Sequence, residues 1–81
     1  MLVFIFFTFT LQMEIEAYLN KCRKDSFEAY SRLDIVLARE IAEKGIEYAT
    51  QNEALLRPSA RNCWAHLHYW KGVTHVGFIG T

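Results

Sequence analysis

The chain has 81 residues, enough for one small domain, which buries only a modest share of its surface and needs support from a neighbour, a partner or more chain. Hydrophobic residues make up 52% of it and charged residues 22%, too apolar a balance for intrinsic disorder. Nine basic and nine acidic side chains cancel, and the densest basic run, Lys21 to Lys24, is followed at once by Asp25; a phosphate-binding surface needs several net positive charges, so nucleic acid is not an expected partner.

Residues 1–12, MLVFIFFTFTLQ, carry no charge. A membrane-spanning helix needs about twenty apolar residues, and this run stops at Leu11 with Glu14 and Glu16 close behind. A secretion signal needs a leading positive charge and a small-residue cleavage site, and neither is present. The alternation of Phe and Thr suits a β-strand, but nothing else in the chain offers a partner strand. A further reading comes from codons. Phe, Thr, Leu and Val can be written with pyrimidine-rich triplets and Leu-Gln can end in CAG, so the segment has the coding character of translated intron sequence. Residues 1–12 are therefore set apart as a non-globular apolar N-terminus, with the folded region expected from Met13. A weak signal-like stretch stands beside that reading, and a membrane-associated or secreted protein using residues 1–11 is the alternative it implies.

From Met13 the periodicity is helical: Ile15, Tyr18, Leu19 and Cys22 share one helix face. The expected first helix spans about 13–24, with Asp25 as the N-cap of a second and Glu28 closing a capping box. That second helix, 26–50, carries two adjoining stripes. One is bulky (Tyr30, Leu33, Leu37, Ile41, Tyr48) and one mostly small (Ile35, Ala38, Ala42, Ile46, Ala49), while Arg32, Arg39, Glu40, Glu43 and Glu47 lie opposite. So wide an apolar face predicts packing against two neighbours, with Gly45 marking a close approach.

"QNEALLRPS" reads as a connection, and Pro58 suits the first turn of a third helix over 58–71. Residues 63–71 also fit a strand, and both templates stay open. The tail, 73–81, has glycines and valines and is expected to be irregular or a short strand. The whole is thus expected to be mainly α, a three-helix array with its helical domain at 13–72.

Ala42, Ile46 and Ala49, followed by Trp64, Ala65, Tyr69 and Gly72, resemble a tetratricopeptide repeat (TPR), a second helix leading into the next first helix. The match covers residues 38–72, and Arg61 stands where the family has its characteristic Trp. The resemblance implies a non-catalytic protein–protein interaction scaffold, and an incomplete solenoid that needs neighbouring repeats or oligomerisation. A second structural alternative rests on "AREIAEKGIEYATQN", which is similar to the helix of phage tail-completion proteins, although "LLRPS" replaces their Gly-x-Leu-Arg.

For chemistry, "THVGFIG" resembles the histidine strand of NlpC/P60-type cysteine peptidases, which implies Cys63 as nucleophile and His75 as base in a hydrolase remnant. Only eleven residues separate the two, and no third polar residue is in evidence. On a helix Cys63 and His66 can share a metal while His66 and His68 cannot; on a strand the reverse holds. Packing explains these residues without chemistry, so no catalytic, cofactor-binding or metal residue is assigned, and the chain is not expected to be an enzyme. Trp64, Tyr69 and Trp70 are either core or an aromatic binding surface. Asp34, on the apolar side, asks for a partner, for which Arg or Lys of an adjoining repeat would serve; a solvated edge position explains it equally well. Cys22 and Cys63 are too few to staple a secreted domain and read as reduced thiols of a cytoplasmic chain.

Overall fold

The computed structural model describes the backbone of residues 2–79 and the side chains of residues 7–74. Helices α1 (Leu2–Ser31), α2 (Ile35–Gln51) and α3 (Pro58–Ile79) run up, down and up, with a short 3-10 turn at Glu53–Leu55 between the last two. The bundle measures 55 × 19 × 16 Å.

Each helix contributes a seam of buried residues, at alternating steps of four and three on α1 and α2 and at steps of seven on α3. On α1 these are Ile15, Leu19, Cys22, Ser26 and Ala29; on α2, Ala38, Ala42, Gly45 and Ala49; on α3, Ala60, Leu67 and Thr74. Such spacing lets helices cross at a shallow angle with side chains interdigitating. The seam of α2 is entirely small, so its backbone lies close to both neighbours, as its two-stripe pattern predicts. A Cβ at Gly45 would come within 2.6 Å of Leu67 Cδ1 and 3.1 Å of Cys22 Cβ. The core also tapers. Ile15, Leu19, Leu56 and Leu67 fill the lower part, whereas Ser26, Ala29 and Ala38 close the upper part. There the Ser26 hydroxyl donates to the Ala38 carbonyl at 2.9 Å, satisfying a fully buried polar group.

The mainly helical expectation holds, and several of its details are corrected. The break expected at Asp25 is absent: α1 runs through it because Ser26 and Ala29 continue the core seam and no Gly or Pro interrupts. Glu28 pairs with Arg32 one turn on rather than closing a capping box. The break falls instead at 32–34, where Leu33 adopts a left-handed φ of 65°. Asp34 N–H donates to Ala29 C=O and Leu33 N–H to Tyr30 C=O, the paired bonds of a Schellman end. The Asp34 carboxylate then accepts from Leu37 N–H at 3.2 Å, so the partner it asked for is the first turn of α2.

Leu33 is 84% exposed in a conformation that favours glycine. Leu33→Gly therefore relieves strain and sacrifices almost no burial. It is expected to stabilise the bundle by about 1 kcal/mol, measured as a raised urea midpoint with unchanged slope.

At the lower end the connection forms as expected. Asn52 Nδ2 donates to Tyr48 C=O, Pro58 opens α3, and the Arg61 guanidinium closes the corner by donating to the Leu56 and Glu53 carbonyls. Residues 63–71 are helical, which removes the strand alternative. The tail expected to be irregular continues α3 as far as Ile79; Gly80 and Thr81 lie outside the described residues. The Phe-Thr alternation near the N-terminus does not form a strand either. Residues 2–12 belong to α1, and Leu11 packs against the core. Without a second strand, only a helix satisfies that backbone internally.

Candidate interaction surface

The helices bring exposed aromatic side chains together along the face shared by α1 and α3. Trp70, half-buried, is met by Phe27 (centroids 5.6 Å apart), Tyr30 (5.3 Å) and Tyr69 (5.2 Å). Phe27 is 55% exposed and Tyr69 61%. The edge-on arrangements suit the ring quadrupoles and hold the cluster in one geometry. Lower on the same face lies a cleft of about 330 Å³ lined by Met13, Glu16, Ala17, Asn20, Ser59 and Cys63. Arg23 stands between, its guanidinium donating to Asn20 Oδ1 at 2.8 Å.

Arg57 anchors the lower end of this face. Its Nε lies 3.2 Å from Glu16 Oε1, and its guanidinium sits 5.4 Å above the Phe9 ring. Among the described residues the buried Glu16 Oε1 has no donor aimed squarely at it, so this contact is an ion pair without a well-formed hydrogen bond.

The sequence-level candidates separate as follows. Tyr69 and Trp70 join the aromatic cluster. Trp64 turns to the other side of α3, where it packs against the core and its ring lies 5.8 Å from His68; its buried indole Nε1 has no hydrogen-bond partner among the described residues. Cys63 and His75 lie on one continuous helix, twelve residues apart, which is an axial separation of about 18 Å. Two side chains cannot close such a gap to hydrogen-bond distance. The His75 side chain itself lies outside the described residues. Cys63 and His66 share a face of α3, His66 being exposed, and among the described residues no three potential ligands converge. On the resemblance to repeats, Ala42 and Ala49 are fully buried, whereas Ala65 and Tyr69 are exposed and a Cβ at Gly72 would meet nothing within 4 Å.

Cys22 is buried at the seam between α1 and α2, and burial pushes its thiol above the ordinary value of 9.0, opposed by a hydrogen bond from Tyr18. Burial also raises the Tyr18 hydroxyl, with the Cys22 charge adding to it; the Tyr18 ring packs on Tyr48 at 4.5 Å. A group held protonated by folding contributes stability below its unfolded pKa and loses it as pH rises through the folded one. Stability is therefore expected to fall as pH rises above about 9. Urea titrations between neutral and alkaline pH should show this decline blunted in Cys22→Ala, compared against that variant's own neutral value.

Sequence reasoning missed Phe27 and Tyr30 as members of the site. Their signal is the steps of three and four linking residues 20, 23, 27 and 30, which becomes visible only when α1 is read through Asp25.

No family model matches the chain, and no curated protein or solved structure matches it either. Among the described residues, no helix is long and apolar enough to cross a membrane.

Proposed function

We propose that the chain is a non-catalytic helical module that binds another protein through the face shared by α1 and α3. The observation that supports this reading is the cluster of Phe27, Tyr30, Tyr69 and Trp70, in which two rings stay more than half exposed beside a half-buried tryptophan. Tyr and Trp dominate binding energetics because each buries a large rigid area and still carries a polar tip. The resemblance to helical repeats points the same way: Ala65, Tyr69 and Gly72 face outward, as residues do where a further helix of an array would pack. The two free thiols, Cys22 and Cys63, support a reducing, cytoplasmic setting.

A photo-reactive side chain placed at Tyr69, at Phe27 and, as control, at exposed Glu47 on the outer face of α2 tests the reading in cells. Discrete protein adducts are expected from the first two positions and not from the third. Equal labelling at all three, or none at Tyr69 and Phe27, overturns it.

A further inference from the structure

Alongside its core seam, α1 carries a second seam with the same alternating steps of four and three: Phe9, Met13, Glu16, Asn20, Arg23, Phe27 and Tyr30. Each helical residue advances by 100°, so this seam lies roughly a quarter-turn or more from the core seam of Ile15, Leu19, Cys22, Ser26 and Ala29. Its outer members are not covered: Phe9 is 49% exposed, Met13 52% and Phe27 55%. The second seam has apolar ends and a polar centre of Glu16, Asn20 and Arg23, which a partner would have to match with contacts of both kinds. Within this molecule the second seam is partnered in part: Glu16 pairs with Arg57, Asn20 with Arg23, and Phe27 and Tyr30 meet Trp70.

The order of residues along the second seam is self-complementary. Reading upward it runs aromatic, apolar, acid, Asn, base, aromatic, aromatic. Reversed, it keeps apolar ends and an Asn centre, with acid and base exchanged. We infer that a second copy of this chain docks on the α1/α3 face, with the two α1 helices antiparallel and Asn20 near the twofold axis. This inference rests on the proposed reading of that face as a docking surface and names its occupant.

In that arrangement Glu16 meets Arg23 and Lys24 of the second copy, Met13 meets Phe27, and Phe9 meets Tyr30, each twice because a twofold interface is isologous. A parallel pairing would instead set Glu16 against Glu16 and Arg23 against Arg23, which charge repulsion disfavours. Asn20 at the centre, whose Oδ1 accepts from Arg23 of its own chain at 2.8 Å, lies opposite its symmetry mate, and a polar pair at that place favours the register that keeps the two together. The chain's net charge of zero leaves no long-range repulsion to oppose self-association.

The test uses the full chain and two charge reversals. Wild type is expected to sediment as a dimer at about 100 μM and to dissociate on dilution. Glu16→Lys turns the contact with Arg23 of the second copy into a meeting of two bases, and Arg23→Glu turns it into a meeting of two acids. Each variant should weaken its homodimer at least about tenfold. Mixing the two variants restores opposite charges at both copies of the contact, so native mass spectrometry should show mixed dimers in preference to either homodimer. Because Glu16 also pairs with Arg57, its reversal can lower stability, but a misfolded chain would not recover pairing on mixing. A wild-type chain that stays monomeric at about 500 μM, or variants that dimerise as well as wild type, overturns the inference. In that event, adducts at Tyr69 and Phe27 with a different protein leave the docking-face reading intact, and their absence removes it as well.

Discussion

Leu67→Ala should cost about 2–5 kcal/mol, the range found when a buried leucine leaves a cavity that its surroundings only partly fill. Leu67 is the fully buried large side chain of α3, seated against α1 and α2 at once, with its Cδ1 directed at the place where Gly45 lacks a Cβ. A chain of this length has about 4–12 kcal/mol of stability in total. The variant is therefore expected to lose a large part of it and to unfold at markedly lower urea. A loss below about 1 kcal/mol would show that the three helices do not meet at this residue.

The second large effect lies across the same contact. Gly45→Leu places a branched side chain where even a methyl would sit 2.6 Å from Leu67 Cδ1 and 3.1 Å from Cys22 Cβ. Overpacking of this kind forces helices apart, and a cost of about 3 kcal/mol is expected, because a leucine side chain is far larger than the methyl that already meets both neighbours. Gly45→Ala is a finer probe, since alanine gains about 1 kcal/mol of helix propensity while the added methyl strains the contact. In the Leu67→Ala background the nearest clashing atom is gone, so the same alanine should stabilise. A double-mutant cycle over these two positions should thus give a coupling energy well away from zero. Additive behaviour would mean that the close approach at Gly45 is not what holds α2 in place.

How much of this was legible in the sequence depends on which residues carried the signal. The stripe of Ala38, Ala42 and Ala49, with Gly45 among them, is a local pattern, and it correctly pointed to a helix pressed between two neighbours. Pro58 likewise marked the start of α3. The ends of α1 were not legible, for two physical reasons. Asp25 has the chemistry of an N-cap, but tertiary packing of Ser26 and Ala29 overrides that preference. The true stop depends on Leu33 in a left-handed conformation, a role for which glycine is the recognisable signature and leucine is not. Phe9 lies in a run whose composition suggests anything but a helix that brings a ring beneath the Arg57 guanidinium. As for the site, Tyr69 and Trp70 were visible as candidates. Phe27 and Tyr30 were not, because they belong to the surface only once α1 is continuous and α3 lies beside it.

The taper of the core has a consequence for how the molecule opens. Large aliphatic side chains hold the lower half, whereas at the α1–α2 turn the helices are held by alanines, one serine hydroxyl and a cap on an exposed carboxylate. Less apolar area is released when that upper end separates, so it should open before the rest and without global unfolding. Amide exchange should then be graded along each helix: fastest around residues 29–38, slowest at Leu19, Ala49 and Leu67. The bundle would behave as a clasp hinged at its leucine end, and the aromatic cluster around Trp70 would sit at the end that opens.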